Sequence, residues 1–431
     1  MNKKISFIGL GKLGLPLATN FAKNNIDVQA IDINPYVVDC LNNNKAPFFE
    51  PHLQKNIEQA KDNISYSLSY DDIEKTDTTV ILVNTPSNKK DGSFSNLYIE
   101  KTLETTCNKI KNKKEYHLFI ISSTVMPRSI DDSFIPLIDS ITGWELNVNY
   151  GICYVPDFVA LGTVIRDFEN PEMLIVGESS KKAGDLALTY YTRIHKNKPP
   201  IKRMNLIEAE IAKVSLNAYI CTKISFSNFL TSVCEFYENA NVDNITEAIG
   251  IDKRIGKHYF KGGLPFGGTC FPRDTWAFIK MSKNIGLSAS HVRAAEKINQ
   301  NQYEKIKNKI IQLDPDSVSI LGMGFKNNTP VVTESTGFKL IRDLLKKNIK
   351  VHVYDPIEEA IKNTQLVHGD KIKYYKNYED CVKVSKFCVI INMYDEFESL
   401  EKNLCDDHVV FDCWRSFKKL KIKKHIKVGS K

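Results

Sequence analysis

The stretch ISFIGLGKLG, residues 5–14, decides the fold of the first part of this 431-residue chain. A short apolar run leads directly into three glycines, Gly9, Gly11 and Gly14, with the spacing of a strand-to-helix turn that binds a nucleotide pyrophosphate. The first glycine permits the tight turn, the second lets the backbone approach the phosphates, and the third lets the helix pack closely on the strand. The free N–H groups and positive dipole end of the helix then favour an anion. The stretch therefore predicts a Rossmann-type βαβ unit.

Asp32 indicates which dinucleotide the turn would bind. It ends the next apolar run, VQAIDINP at residues 28–35, and lies 18 residues after Gly14. A carboxylate there accepts hydrogen bonds from the ribose 2′- and 3′-hydroxyls and repels a 2′-phosphate, so NAD is favoured over NADP. We include Leu13 of the turn among the expected cofactor contacts. A fold of this type that binds another nucleotide or a flavin is the alternative.

The same pattern returns near the other end of the chain. VSILGMG at residues 318–324 is followed by VHVYDP at residues 351–356, so a glycine turn again separates two apolar runs. Two such units predict an α/β protein with two Rossmann-like doubly wound domains. Between them, residues 208–239 contain no Gly or Pro and repeat apolar residues at helical spacing. We expect one long central helix that joins the domains and packs on a second subunit; two helices with an unmarked break are the alternative.

Two further apolar runs end in hydroxyl residues. VILVNTP at residues 80–86 and FIISSTVMP at residues 119–127 each predict a strand followed by a polar loop. Ligands of doubly wound sheets bind beyond the carboxyl ends of the strands, so Thr85 and Thr124 are candidates for lining the cofactor and sugar cleft. Either threonine is equally consistent with capping a following helix.

The segment GGLPFGGTCFPRD, residues 262–274, carries the strongest signal of chemistry. A glycine-rich loop runs into Cys270, and the proline two residues later suits the first turn of a new helix. A helix N-terminus stabilises a thiolate, which makes Cys270 a candidate nucleophile. Asp274 would face the same side of that first turn. The alternatives are a small buried residue at Cys270 and an ordinary first-turn carboxylate at Asp274.

Lys213 and Asn217 lie four residues apart on the predicted central helix and therefore share one face. A lysine on a mostly apolar face is either an electrostatic stabiliser or a side chain that extends to solvent. The spacing alone leaves both interpretations open.

The composition is typical of a cytoplasmic protein. Hydrophobic residues make up 42% of the chain and charged residues 26%, the net charge is +8, and no apolar run approaches the ~20 residues of a membrane span. The N-terminus predicts a first strand and not a secretory signal. Ten cysteines without a CxxC pair indicate reduced, mostly buried thiols, and neither a disulfide framework nor a metal site is expected. The lysine-rich residues 418–431 are expected to be a solvated, frayed end, so no nucleic-acid or membrane partner is predicted.

Together these motifs resemble the UDP-glucose/GDP-mannose dehydrogenase family over almost the whole chain. The further blocks that carry the resemblance are PFFEP at 47–51, EAEIAK at 208–213, RIG at 254–256, LGMGFK at 321–326, Glu334-Ser335 and YDP at 354–356. The resemblance implies an N-terminal NAD-binding domain in residues 1–200, a central helical dimerisation region with the cysteine loop in residues 201–300, and a C-terminal UDP-sugar-binding domain in residues 301–431. It also implies a homodimer or larger homo-oligomer that serves polysaccharide biosynthesis.

The chemistry implied by the resemblance is NAD-dependent oxidation of a nucleotide-sugar at C6, from alcohol to carboxylate, with two NAD consumed per sugar. Cys270 would attack the intermediate aldehyde and carry a thiohemiacetal and then a thioester. Lys213 and Asn217 would stabilise the oxyanion at C6, and Asp274 and Thr124 would position or deprotonate water. Substrate contacts are expected from Lys213, Asn217, Arg254, Phe266, Gly267 and Lys326. Of these, Lys326 is also a candidate cofactor contact, and Arg254 would reach a neighbouring subunit's site.

Three departures from the family's pattern bear on this chemistry. In VPDFVALG at residues 155–162, Asp157 stands where the family usually has a glutamate, and Leu161 replaces a second glutamate. Downstream, Thr333 replaces the customary arginine and removes one charged contact to ligand. A proton shuttle that relies on both acids is in doubt, but the nucleophile and the oxyanion groups are kept, so we expect activity.

UDP-glucose is the expected substrate. Thr269 before the nucleophile resembles the glucose and mannose branches of the family, and RIG at residues 254–256 with the stretch at residues 218–226 most resembles the UDP-glucose branch. UDP-N-acetylhexosamines and GDP-mannose are the alternatives. Two-electron hydroxyacid dehydrogenases share the N-terminal turn but need no cysteine nucleophile. A catalytically impaired protein that only binds NAD or a nucleotide-sugar is the third class.

Overall fold

The computed structural model describes residues 4–88 and 90–431. The chain divides into two compact units, the first ending at Ser215 and the second comprising Leu216–Lys431. No described helix is both long enough and apolar enough to span a membrane.

The first unit is an α/β domain built on one sheet. Its strands are β1 (Lys4–Ile8), β2 (Asp27–Ile31), β3 (Ile64–Ser67), β4 (Thr78–Ile81), β5 (His117–Ile121), β6 (Tyr150–Tyr154), β7 (Leu174–Glu178) and β8 (Ile201–Met204). Its helices are α1 (Gly14–Lys23), α2 (Pro35–Asn42), α3 (Leu53–Ala60), α4 (Leu97–Ile110), α5 (Ile135–Thr142), α6 (Val164–Glu169) and α7 (Lys181–Ile194).

The strands of this sheet follow the order β3-β2-β1-β4-β5-β6-β7-β8, and only β6 and β7 pair antiparallel. The first six have the order of a Rossmann sheet, in which helices cover both faces. Strands β5 and β6 are accordingly buried at every position. The prediction made from residues 5–14 is confirmed.

One helix, α8 (Leu206–Phe236), contains the boundary between the two units. It has 31 residues and is therefore about 46 Å long at a rise of about 1.5 Å per residue. The prediction of a single central helix is confirmed over the alternative of two. Within the second unit its surface is divided, because Ala218 and Cys221 are buried whereas Tyr219, Phe229 and Phe236 are more than half exposed.

The second unit combines three more helices with a second α/β domain. The helices are α9 (Val242–Gly250), α10 (Phe271–Asn284) and α11 (Ser290–Gln312). The α/β domain has strands β9 (Ser317–Leu321), β10 (Lys350–Tyr354), β11 (Lys373–Tyr374), β12 (Phe387–Ile390), β13 (Val409–Asp412) and β14 (Lys424–Lys427), and helices α12 (Thr336–Leu345), α13 (Glu358–His368) and α14 (Tyr378–Lys383). Its strand order, β11-β10-β9-β12-β13-β14, repeats the Rossmann order with every pair parallel. The prediction of two Rossmann-like domains is confirmed.

The expectation of a frayed C-terminus is wrong. Lys424–Lys427 form the edge strand β14, Val428 is buried, and Ser430 bridges to Asn241. Lysines are compatible with an edge strand, because the backbone completes the sheet while the charged side chains remain partly in solvent. The lysine count alone therefore did not reveal the strand.

Candidate active site

The glycine turn after β1 has the shape that a dinucleotide requires. Gly9 has φ 97°, and a Cβ there would come within 2.5 Å of the carbonyl oxygen of Leu82. A Cβ on Gly14 would overlap the carbonyl oxygen of Gly9, so α1 packs directly on the turn. No described residue lies within 4 Å of the place that a Cβ on Gly11 would take, which leaves room for a pyrophosphate at the N-terminus of α1. Leu13 is half-buried and is the N-cap of that helix.

Asp32 follows β2 and holds the turn through its carboxylate. Oδ2 accepts a hydrogen bond from the N–H of Leu10 at 2.6 Å, and Oδ1 accepts one from the N–H of Asn34 at 2.8 Å. Asp32 is only half-buried, so the remaining lone pairs of the carboxylate can accept from ribose hydroxyls. The residues of the turn thus fit NAD.

Asp355 makes the corresponding contacts in the second βαβ unit, but there the carboxylate is buried and the turn has no room for a ligand. Its Oδ2 accepts from the N–H of Met323 at 2.6 Å and its Oδ1 from that of Ile357 at 2.8 Å. Asp355 is 3% exposed, and burial raises the pKa of its carboxyl. A Cβ on Gly324 would come within 2.6 Å of the carbonyl oxygen of Thr329, so the chain itself fills this turn. The sequence repeat reflects a shared fold and not a second dinucleotide site.

The loops that follow β4 and β5 are bonded to each other. The Thr85 hydroxyl donates to the carbonyl oxygen of Thr124 at 2.7 Å, and the Ser123 hydroxyl donates to that of Val83 at 2.7 Å. Thr85 is buried. It lies well before the first residue of α4 in the sequence and therefore does not cap that helix. Of the two interpretations of Thr85, the structure supports a loop residue at the carboxyl end of the sheet.

Glu210 of α8 anchors the loop that carries Thr124. Its carboxylate accepts from the N–H of Arg128 at 2.7 Å and from that of Ile130 at 3.1 Å. Glu210 is fully buried, and burial raises its pKa to about 7. Because Lys213 follows on the same helix, one element carries the lysine and orders the threonine loop.

Asp157 and Lys213 are in direct contact. Lys213 is 9% exposed, its Nζ donates to the backbone carbonyl of Asp157, and it lies 4.8 Å from the ring centroid of Phe158. Burial raises the pKa of the Asp157 carboxyl to about 7, against the opposing effect of the Lys213 charge. Its Oδ2 has no hydrogen-bond partner among the described residues. Lys213 is therefore a buried cation rather than one extended into solvent, and Asp157 can exchange a proton near neutral pH.

Leu161, the second departure from the family's pattern in this loop, packs against the hydrophobic core of the first unit. The loop is held by Glu50, whose carboxylate accepts from the N–H groups of Gly162 and Val164, each at 2.9 Å. Gly162 has φ 87°, a conformation that favours glycine. The leucine thus occupies a place where the first unit offers apolar packing.

Cys270 is the N-cap of α10 and is exposed. Pro272 lies in the first turn of that helix, as predicted. Cys405 is the one other exposed cysteine, and the remaining eight are buried or half-buried. The Thr269 hydroxyl lies 3.6 Å from the Cys270 Sγ. The exposure of Cys270 excludes the interpretation as a small buried residue and leaves its sulfur accessible to a substrate.

Asp274 lies one turn into α10 and is 1% exposed. Asn217 donates through Nδ2 to its Oδ2 at 2.6 Å, and Arg273 donates through Nε to its Oδ1 at 3.2 Å. The Asp274 N–H donates to the carbonyl oxygen of Cys270 at 2.8 Å. The structure therefore brings Cys270, Asn217 and Asp274 together, and Asp274 is not an ordinary solvated first-turn carboxylate.

A cleft of about 850 Å³ lies in the second unit. Its lining includes Gly267, which precedes Cys270 in the sequence, and Phe271, which follows it. Phe266, Lys326 and Trp414 are also in its lining. The cleft lies at the carboxyl ends of β9, β12 and β13, where doubly wound domains bind ligands. Aromatic walls with a cation suit a base and a diphosphate.

The glycine loop is packed closely against the C-terminal domain. A Cβ on Gly267 would overlap the carbonyl oxygen of Glu334. Gly268 has φ 80°, and a Cβ there would come within 2.7 Å of the Phe325 ring. Glycine is therefore required at both positions for the loop to reach Cys270.

Arg254 is not part of the cleft lining. Its side chain is 88% exposed and pairs with Asp252 at 2.6 Å. The loop beneath it is held by Lys223 of α8, whose Nζ donates to three backbone carbonyls, those of Ile255, Gly256 and His258. The expected contact between Arg254 and substrate in a neighbouring subunit stays a prediction. Thr333 is likewise exposed and outside the lining.

Sequence reasoning gave no role to the polar residues that hold these loops. They are Glu50, Glu210, Asn228, Asn299 and Gln302, all buried. For Asn299 and Gln302, the sequence signal is a pair of amides on the same face of α11 as the apolar residues Val292, Ala295, Ile306 and Ile310. That signal does not identify the backbone groups that they meet.

Family models match three consecutive segments of the chain. The NAD binding domain of the UDP-glucose/GDP-mannose dehydrogenase family matches residues 3–195, the central domain of that family matches residues 207–301, and its UDP binding domain matches residues 319–419. The three segments contain the glycine turn, the cysteine loop and the C-terminal side of the cleft, respectively.

Individual relatives cover nearly the whole chain. UDP-glucose 6-dehydrogenase AglM of Haloferax volcanii is 31% identical over 405 residues, 92% of this chain and 93% of the relative. GDP-mannose 6-dehydrogenase of Pseudomonas syringae pv. tomato is 26% identical over 437 residues, 95% of each. The solved structure of a UDP-glucose dehydrogenase from Pyrobaculum islandicum matches with a TM-score of 0.91 at 28% identity, over 100% of this chain and 98% of that one. These relatives are named for two different nucleotide-sugars.

Proposed function

The chain belongs to the UDP-glucose/GDP-mannose dehydrogenase family of NAD-dependent nucleotide-sugar 6-dehydrogenases, and we propose that it oxidises UDP-glucose to UDP-glucuronate with Cys270 as nucleophile. The observation that carries the proposal is an exposed thiol at a helix N-terminus, next to a cleft large enough for a nucleotide-sugar. Thr269 fits a glucose or mannose nucleotide, and residues 254–256 are the basis for proposing UDP-glucose; the similarity to AglM supports this choice.

The proposed reaction has two oxidations, and NAD supplies the two-electron oxidant for each. In the first, the C6 alcohol loses two electrons and two protons and becomes an aldehyde. The Cys270 thiolate then adds to C6, and the resulting oxyanion takes a proton to give a thiohemiacetal. The second oxidation removes two electrons and two protons and leaves a thioester. Water adds to the thioester, the C–S bond breaks, and the thiolate and the uronate are released.

Three groups of residues assist these steps in the proposal. The free N–H groups and dipole of α10 stabilise the Cys270 thiolate. Lys213 and Asn217 stabilise the oxyanion at C6. Asp274, fixed by its bonds to Asn217 and to its neighbour Arg273, positions water together with Thr124.

The test of this proposal is a substrate panel. The purified protein is incubated with NAD and, separately, with UDP-glucose, GDP-mannose and a UDP-N-acetylhexosamine. We expect two NADH per UDP-glucose, the uronate as product by mass spectrometry, and a kcat/KM at least about 10-fold above that for the other sugars. One NADH per sugar would contradict the thioester route, and a preference for another sugar would contradict the assignment of UDP-glucose.

Asp157 gives a prediction about pH. Because the pKa of its carboxyl is raised to about 7, the group is neutral below that pH and charged above it. If it accepts a proton during turnover, kcat/KM should rise as the pH passes through 7. Asp157→Asn should lower kcat roughly 10²-fold and remove that limb from the pH profile. Asp62→Asn, at an exposed position, serves as control and should keep the wild-type kcat and the rise of kcat/KM through pH 7. If that rise persists in Asp157→Asn, it belongs to the titration of another group.

Asp32 gives a prediction about the cofactor. Asp32→Asn keeps an oxygen that can accept from Leu10 but removes the charge that repels a 2′-phosphate. We expect the ratio of kcat/KM for NAD to that for NADP to fall by about 10-fold or more. The control is Asp355→Asn, at the corresponding position of the second copy, where the buried carboxylate holds only its own chain. An unchanged ratio in Asp32→Asn, or an equal fall in the control, would contradict the role.

We also propose that α8 forms a subunit interface and that residues 1–200, 201–300 and 301–431 act as three domains. The exposed Tyr219, Phe229 and Phe236 support the interface, since aromatic side chains are enriched at the core of protein contacts. The three consecutive family-model matches support the domains. Light scattering at micromolar concentration should give the mass of a dimer or larger assembly, and a monomer would contradict the interface.

A further inference from the structure

Three buried amide side chains hold the backbone of the loop that precedes Cys270. Asn228 of α8 accepts through Oδ1 from the N–H of Gly263 at 2.8 Å and donates through Nδ2 to the carbonyl oxygen of Leu264 at 3.0 Å. Gln302 of α11 donates through Nε2 to the carbonyl oxygen of Gly263 at 2.5 Å. The two helices thus fix the start of the loop from two directions.

Asn299 of α11 makes both of its bonds to a single residue, Phe266. Its Oδ1 accepts from the Phe266 N–H at 2.7 Å, and its Nδ2 donates to the Phe266 carbonyl oxygen at 3.0 Å. Asn299 is 7% exposed, so water does not readily replace either bond. Such a pair of bonds requires one planar side chain that carries both a donor and an acceptor. A side chain of similar shape without these two groups cannot make them.

Phe266 connects this amide to the chemistry. Its side chain is in the lining of the cleft, and its ring packs edge-on against Phe271 at 6.3 Å between centroids. Phe271 is the first residue of α10 and follows Cys270 directly. A shift of the Phe266 backbone would therefore change both a wall of the cleft and the approach to the sulfur.

We propose that Asn299 is a positioning residue for the nucleotide-sugar, acting through the backbone of Phe266. Its side-chain hydrogen bonds go to the Phe266 backbone and not to a group that takes part in the proposed reaction. The identity of the ligand in the cleft rests on the function proposed above, whereas the amide contact itself does not. Loss of the donor should raise the KM for the nucleotide-sugar and leave NAD binding by the first unit unchanged.

Asn299→Asp tests the hydrogen-bonding pattern directly. When the new carboxyl is protonated it matches the amide, because its C=O accepts from the Phe266 N–H and its O–H donates to the Phe266 carbonyl. When ionised it has no donor and sets a negative charge against that carbonyl. Burial raises the pKa of a carboxyl, so the protonated form gains population as the pH falls towards 6.

The measurement is the ratio of the KM for UDP-glucose in Asn299→Asp to that in the wild type at the same pH. We expect this ratio to be about 10 at pH 9 and to return towards 1 near pH 6. The Kd for NADH, measured by fluorescence, should match the wild type at both pH values. Asn299→Leu should raise the KM without any such recovery. Asn301→Asp, on the exposed side of α11, is the matched control and should behave as the wild type. A ratio near 1 throughout for Asn299→Asp, or the same pH response in the leucine variant, would overturn the proposal.

Alkylation of Cys270 separates this inference from the proposed function. If the wild type oxidised no nucleotide-sugar, the proposed function would fail, but the rate at which iodoacetamide labels Cys270 could still be followed by peptide mass spectrometry. The ratio of the labelling rate in Asn299→Asp to that in the wild type should differ from 1 by about 3-fold or more at pH 9 and return towards 1 near pH 6. A constant ratio across pH would overturn the positioning role independently of turnover.

Discussion

Replacing Cys270 by serine should abolish uronate release, with a loss of at least roughly 10³-fold in kcat for the four-electron reaction. A serine hydroxyl at this position is far less acidic than a thiol and forms an ester in place of a thioester, so neither covalent step proceeds at a useful rate. Total NADH per sugar and the mass of the product are the measurements. The variant should still bind NADH and keep its secondary structure, because Cys270 is exposed and serine differs from cysteine by one atom.

Cys405→Ser is the matched control. Cys405 is the other exposed cysteine and lies in the same unit, in the turn before β13 and outside the cleft lining. Its replacement should leave kcat and stoichiometry unchanged. Four-electron turnover retained by Cys270→Ser would show that the proposed covalent route is wrong.

Replacing Arg415 by methionine should lower the free energy of unfolding by about 3 kcal/mol. The Arg415 side chain is 2% exposed and donates to both carboxylate oxygens of Asp243, at 2.6 and 2.7 Å. It also donates to the carbonyl oxygen of Gly262 at 2.6 Å and to that of Val428. Loss of the guanidinium leaves a largely buried carboxylate and two carbonyls without their donor, and methionine replaces only the stem.

Urea denaturation followed by circular dichroism measures this loss. Arg342→Met is the control, since the Arg342 side chain is 60% exposed and pairs with its neighbour Asp343 at the surface. Exposed pairs contribute at most about 1 kcal/mol, so the control should stay near the wild type. A loss below about 1 kcal/mol in Arg415→Met would show that the buried network contributes little beyond the packing of its stem.

Local patterns predicted the elements of the fold and the residues of chemistry. The βαβ pattern at residues 5–14 and its repeat at residues 318–324 predicted two doubly wound domains, because the alternation of apolar runs and glycine turns is set by neighbours in sequence. The strand order within each sheet came from the structure. The absence of Gly and Pro gave the single helix α8. The place of Cys270 at the start of a helix was predicted from Pro272, because proline is tolerated in the first turn of a helix and disfavoured in its interior.

Contacts between distant residues were beyond those patterns. Asn217 and Asp274 are separated by 57 residues, and nothing local shows that one donates to the other. The same holds for Glu50 at the loop of Gly162 and for the amides beneath the cysteine loop. Lysine content suggested a solvated end where the backbone forms β14, because composition does not register backbone pairing with β13.

By itself the sequence determined the two doubly wound domains, the NAD turn with Asp32, and a thiol at the start of a helix. Each depends on backbone geometry over a few tens of residues, which spacing and residue type encode directly. Only the tertiary structure decided that burial raises the pKa of Asp157 to about 7 and that Asp274 is buried and bonded to Asn217. It also decided that Asp32 is accessible to a ligand whereas Asp355, its counterpart in the second βαβ unit, is buried. Burial and pairing are properties of what surrounds a side chain, and those surroundings come from parts of the chain that are far away in sequence.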